Sequence, residues 1–193
     1  MSSVVISGDT SGAITVLAPA VSGTNTLTLQ AGTATNSMNT LATAVASTSG
    51  TSIDFTGLPS WVKKITVMFA GVSTSGTSPT IIQLGYQSPV TSSGYSSYSS
   101  QLTTAAANGA AQTAGFAVTF STNVAANALS GLSTICTLGS NVWVFNSTAS
   151  HTDRLQVGGG SITLGGTLDR IRITTAGGTD TFDAGSINIL YEG

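Results

Sequence analysis

The chain has 193 residues, enough for one sizeable core plus an appendage. Only 6% of them are Asp, Glu, Lys or Arg, against about 25% in an average soluble domain. A formal net charge of −2 from five basic and seven acidic residues leaves no basic patch, which excludes nucleic-acid binding driven by phosphate neutralisation. No run approaches the roughly 20 apolar residues needed to span a bilayer, so membrane insertion is not expected. The start MSSVVISGD lacks the basic opening and apolar core of a signal peptide, and the expectation is a protein made in the cytoplasm. The apolar fraction of 40%, with repeated Ile/Val/Leu alternation, argues against disorder. A surface so poor in charge protects a monomer weakly from association, so a closed oligomer is expected.

Residues 1–36 hold three short β-runs, Val4 to Ile6, Ala13 to Leu17 and Thr26 to Leu29, separated by turn-rich Ser/Gly/Asn segments. Strands this short cannot bury a core alone, which points to a segment docked on a partner or interlocked with copies of itself. Residues 37–51 are rich in Ser, Thr and Ala. Met38, Leu41 and Val45 are spaced for one face of a short helix, and an extended linker fits as well. This stretch is the expected domain boundary.

From Ser52 onward period-two alternation dominates. Ile53 and Phe55 share one face, as do Ile65, Val67 and Phe69 in the long run from Val62 to Val72. Thr80 to Tyr86 is the next strand. Residues 87–113 carry Pro89, Gly94 and many serines, and read as a long functional loop. Further strands are predicted at Gly115 to Phe120, Leu132 to Leu138, Asn141 to Thr148 and Arg154 to Val157. Gly158 to Gly160 reads as a turn leading to Ser161 to Leu164. At the end, Ile171 and Ile173 alternate with Arg170 and Arg172, and Ile187, Ile189 and Tyr191 share a face. Residues 52–193 therefore predict an all-β fold, an antiparallel β-sandwich of jelly-roll kind, without a convincing amphipathic helix.

Residues for catalysis are scarce. His151 is the only histidine, and although Ser150 and Asp153 flank it, sequence adjacency is not triad geometry; an exposed hairpin-loop histidine is expected. Asp169, Asp180 and Asp183 could converge on calcium, but they lack EF-hand spacing, and ion pairing with Arg170 or Arg172 and loop hydrogen bonding are the simpler roles. Gly158 to Gly160 has no phosphate-loop context. Asn146-Ser147-Thr148 matches a glycosylation sequon inside a predicted strand. Cys136, the only cysteine, cannot form an intrachain disulfide and reads as a buried thiol. Trp61 and Trp143 read as core. The expectation is no enzyme, no cofactor and no metal. Tyr95 and Tyr98, in GYSSYSSQ, are the candidate receptor-binding residues: flat aromatic faces beside hydroxyls and amides suit carbohydrate, and a subunit interface is the other use of such a surface.

Three extended strings carry a resemblance. SIDFTGLPSWVKKITVMFAGVSTSGTSPTIIQLGY (Ser52 to Tyr86) and GTLDRIRITTAGGTDTFDAGSINILYEG (residues 166–193) resemble a domain of tailed-bacteriophage and prophage proteins described as tail fibres. ISGDTSGAITVLAPAVSGTNTLTLQAGTAT (Ile6 to Thr35) is similar to a short β segment of phage fibres and other virion appendages. The resemblance implies a homotrimeric virion component without a catalytic site. Such a protein would contact other virion proteins, of tail or capsid, through residues 1–36 and host-surface polysaccharide through the β-sandwich. The chain is short for a long tail fibre and lacks a coiled coil or repetitive shaft, which leaves room for a head fibre or a capsid decoration protein.

Overall fold

The computed structural model describes residues 3–7, 13–17, 39–120, 125 and 127–193. The chain divides into two compact units, Met1–Ser37 and Met38–Gly193. In the first, β1 (Ser3–Ser7) pairs antiparallel with β2 (Ala13–Leu17), Val4 opposite Val16 and Ile6 opposite Ile14. The third expected run, Thr26 to Leu29, lies outside the described residues.

The second unit is all-β, and among the described residues there is no helix. Its strands are β3 (Asn39–Leu41), β4 (Val45–Ala46), β5 (Ser52–Thr56), β6 (Lys64–Thr74), β7 (Thr80–Gly85), β8 (Ser96–Leu102), β9 (Ala107–Gln112) and β10 (Phe116–Ala117). They continue with β11 (Leu129–Gly139), β12 (Val142–His151), β13 (Arg154–Thr163), β14 (Arg170–Thr175) and β15 (Phe182–Glu192). A four-stranded sheet has the order β10-β7-β14-β5, and the larger, nine-stranded sheet runs β3-β15-β6-β11-β12-β13-β8-β9, with β4 also on β15. Every pairing is antiparallel.

Alternation decides which residues meet. Ile53, Phe55, Leu84, Ile171 and Ile173 from the small sheet join Ile65, Val67, Phe69, Ile135, Phe145, Ile187 and Ile189 from the large one in a single buried cluster. Burying side chains of this size stabilises by about 1.5–3 kcal/mol each relative to exposure. Phe116 links the layers: it stacks on Phe145 with ring centroids 4.7 Å apart and meets Tyr95 edge-on at 5.0 Å.

Several expectations are corrected. Residues 39–46, read as part of a linker or short helix, are edge strands: Leu41 is opposite Leu190 and Val45 opposite Ile187. Their few apolar side chains are satisfied by sheet pairing rather than by a helical face. Residues 87–113, expected as a loop, contain the β8–β9 hairpin. Serines alternating with Tyr98 still form a strand because Ser97 and Ser99 bury their hydroxyls on backbone carbonyls, those of Gly159 and Thr119.

The three glycines are not a turn but the middle of β13. A side chain there would collide: a Cβ on Gly158 would lie 2.3 Å from the carbonyl oxygen of Ala117, and one on Gly160 would lie 2.6 Å from that of Ser96. Glycine lets the β10 segment and β8 approach the backbone of β13.

Candidate functional site

Of the two tyrosines singled out, the structure keeps one at the surface. Tyr95 is 2% exposed, and its phenolic oxygen accepts a hydrogen bond from the Leu84 amide (2.6 Å) and lies 3.1 Å from the Thr91 carbonyl. Burial pushes its pKa well above the usual phenol range. It is a core residue, which corrects the expectation that it is a receptor contact. Tyr98 is 55% exposed on the outward face of the large sheet.

The neighbours of Tyr98 explain its posture. It is opposite Gly159 of β13 and Ala111 of β9. Its ring lies across Gly109, where a Cβ would come within 2.5 Å of the ring edge. With glycine at both 109 and 159, the ring has bare backbone beside it and one flat face free. Tyr98, Ser100, Val157, Gly158 and Gly159 line an open groove of about 380 Å³. An aromatic face beside an apolar floor and a hydroxyl is suited to the C–H face of a sugar ring. Gly159 and Val157 were missed in the sequence because the triple glycine was read as a turn. Strand alternation on both its sides was the available signal.

The groove belongs to a wider uncharged face. Thr66 and Met68 of β6, Thr134 and Leu132 of β11, Asn146 and Thr148 of β12, and Val157 of β13 share Tyr98's side of the sheet by register. Leu132 is 53% exposed, Leu102 44% and Leu155 41%. Lys64, at one end, is neutralised by Glu192 at 2.7 Å, and Cys136 beside it is half-buried and free, not the fully buried thiol expected.

The remaining candidates separate. His151 is buried rather than exposed, and its Nδ1 lies 3.4 Å from the Gln156 side-chain nitrogen. Burial, and then Arg154, hold its pKa below the ordinary imidazole value. Asp153 turns instead to Arg154, at 2.6 Å, and the guanidinium lowers its pKa. Ser150 is exposed and directed to the Ser130 carbonyl. No triad is assembled from these three. Asp169 pairs with Arg170 at 2.7 Å, which lowers its pKa, Asp180 accepts from the Ser78 amide, and Asp183 accepts from the Ser73 hydroxyl. Among the described residues no cluster of three or more metal-ligating side chains occurs. Trp143 is buried, and Trp61 is half-buried against Tyr191, with ring centroids 5.8 Å apart. Among the described residues no helix is long and apolar enough to cross a membrane. In comparisons with known proteins, no family model, no curated protein and no solved structure matches the chain.

Proposed function

We propose that this chain is a non-enzymatic structural protein of a tailed-phage virion, a trimeric, tail fibre-like component that presents a β-sandwich for adhesion to host-surface glycan. The observation that carries the reading is the outward face of the large sheet, uncharged apart from one neutralised lysine, with Tyr98 and its groove exposed upon it. Such a face loses little on desolvation and gains from aromatic and hydroxyl contacts, the combination a neutral polysaccharide or a second subunit needs.

Strand order supports the jelly-roll form. β5, β6, β7 and β8 fall alternately in the small and large sheets, and β14 and β15 return beside β5 and β6. That is the interleaving two Greek keys produce. A trimer is supported by the exposed Leu102, Leu132 and Leu155, and attachment through residues 1–36 by a first unit whose β1–β2 hairpin is too small to be stable alone. Capsid decoration is the second reading, since the same uncharged face would clamp a capsid subunit.

The test is binding of the purified protein to host cells and to their extracted polysaccharide, with Tyr98→Ala as the control variant. Saturable binding that Tyr98→Ala weakens supports adhesion. Tight binding to capsids without binding to cells would replace adhesion with decoration. Mass measurement should return a trimer, and a monomer at micromolar concentration would refute that assembly.

A further inference from the structure

A second cavity lies at the end of the large sheet, where the β11–β12 turn meets the segments before β6 and β14. Trp143 forms one wall. By register its side chain lies on the core side of β12, opposite Ile162, and it is 4% exposed. Its indole Nε1–H nonetheless has no acceptor in the protein. Buried donors are nearly always satisfied, so an orphan donor beside a cavity is a signal of something that binds there. The cavity measures about 200 Å³, and besides Trp143 its lining includes Ser60, Lys63, Ser140, Asn141 and Thr167.

Lys63 adds a second, independent signal. Ion pairs occupy Lys64, Arg154, Arg170 and Arg172, which leaves Lys63 as the one basic side chain without an ion pair among the described residues. Its backbone is clamped: the amide donates to the Glu192 carbonyl at 2.7 Å, and the carbonyl accepts from Thr137 at 2.9 Å. The ammonium therefore starts from a fixed point on the cavity rim. Across from it, Ser140 and Asn141 form a two-residue turn with φ of 50° and 60°. That is a conformation serine resists, and it turns both residues back over the strand end. The Asn141 carbonyl is held by the Leu164 amide at 3.0 Å.

We propose that this cavity binds an acidic sugar of the hexuronate type. Its carboxylate would be held by the Lys63 ammonium and the Trp143 N–H, and its ring hydroxyls by Ser60, Ser140, Asn141 and Thr167. The unpaired cation and the orphan donor together select a negatively charged acceptor. The hydroxyls and amide around them match a polyol. A space below the roughly 300–1,000 Å³ of pockets for drug-sized ligands suits a single ring. The anionic character stands on the cavity alone, whereas the saccharide character rests on the glycan-adhesion reading above.

The experiment is titration of the full chain with glucuronate, glucose and inorganic phosphate. It is followed by the chemical shift of the Trp143 indole N–H, assigned with Trp143→Phe. Glucuronate should shift that resonance saturably, and glucose should bind at least about tenfold more weakly, since it lacks the charge-assisted contact. Lys63→Gln, an exposed change that leaves the fold intact, should weaken glucuronate about tenfold and leave glucose unchanged. Trp143→Phe keeps the ring's bulk and should weaken glucuronate as well, measured by calorimetry. Phosphate binding without glucuronate binding would overturn the sugar assignment, and equal affinity of wild type and Lys63→Gln for glucuronate would overturn the site. Tyr98→Ala separates this proposal from the adhesion reading: it should weaken binding to whole cells and leave glucuronate affinity unchanged. Loss of uronate binding with cell binding intact would sink this cavity only.

Discussion

The two sheets turn very different faces outward. On the small sheet, Arg172 forms two hydrogen bonds to Asp54, at 2.7 and 2.8 Å, Arg170 pairs with Asp169, and Gln83 donates to the Ala114 carbonyl. Each polar group there already has a partner from the chain itself. On the large sheet, Thr66, Thr134, Asn146 and Thr148 share the surface with Met68, Leu132, Val157 and Tyr98, and the charge of Lys64 is confined to one end. The small sheet is finished by its own ion pairs, while the large one leaves apolar area and hydroxyls for something else to cover. In a chain with 6% charged residues, their location marks the face that is meant to stay in water.

The comparison presumes one core beneath both faces, and the largest effect is expected there. Phe116→Ala removes the ring stacked on Phe145 and edge-on to Tyr95, and should lower unfolding stability by about 3–5 kcal/mol in urea titration. A loss below about 1 kcal/mol would mean that the β10 segment does not join the two layers. Next come two neighbouring glycines with opposite expectations. Gly158→Ala drives a methyl into the Ala117 carbonyl and should cost about 1–3 kcal/mol. Gly159→Ala meets nothing closer than the Phe145 carbonyl at 3.7 Å and should stay within about 0.5 kcal/mol. Equal costs would contradict the assignment of inner and outer faces to β13.

A pH experiment probes the buried polar end of the large sheet. His151 has a lowered folded-state pKa, so on acidification the unfolded chain takes up the proton first. Stability should therefore be intact above the unfolded value near 6.5 and fall as pH drops from there toward the folded value. Asp153 and Asp169, with lowered pKa values of their own, contribute stability that is lost only at lower pH, beneath the model value of 3.8. Urea midpoints at about pH 7.5 and about pH 5.5 should differ for the wild type and converge for His151→Gln.

The smallest changes in stability are expected on the two outward faces, and they should differ in kind. Replacing Leu132 and Leu155 with Ser should move stability by no more than about 0.5 kcal/mol but lower self-association, read by sedimentation. Asp54→Asn breaks a half-exposed ion pair and should cost no more than about 1 kcal/mol without affecting association. An association defect from Asp54→Asn and none from the leucines would reverse the roles given to the two faces.

Much of the fold was legible because alternation is a local signal. Ile53, Phe55, Ile65, Val67, Ile171, Ile173, Ile187 and Ile189 were all read as inward-facing, and all are buried. What failed depended on partners distant in sequence. Leu41 and Val45 look like lone anchors until β15 is beside them, and the triple glycine looks like a turn until Ala117 and Ser96 are seen pressing on its backbone. Tyr95 and Tyr98 lie three residues apart and so fall on opposite faces of one strand direction. Period-two geometry separated them, but the loop assigned to 87–113 hid it. The Trp143 cavity could not be read at all, because Ser60, Asn141 and Thr167 come from three turns whose meeting is set by the tertiary fold.

The β8–β9 hairpin has a consequence for motion. Its inward side is fastened by hydroxyls, Ser97 to the Gly159 carbonyl and Ser99 to that of Thr119, and every residue of β9 is exposed or half-buried. Hydrogen bonds of this kind contribute only about 1 kcal/mol each once water is offered in exchange, whereas β6 and β15 are fastened by isoleucine, valine and phenylalanine. The sheet therefore has a cohesive half and a releasable half. Backbone amides of β9 should exchange with deuterium first and those of β6 last, so Tyr98 rides on the part of the sheet that can yield when it meets a partner.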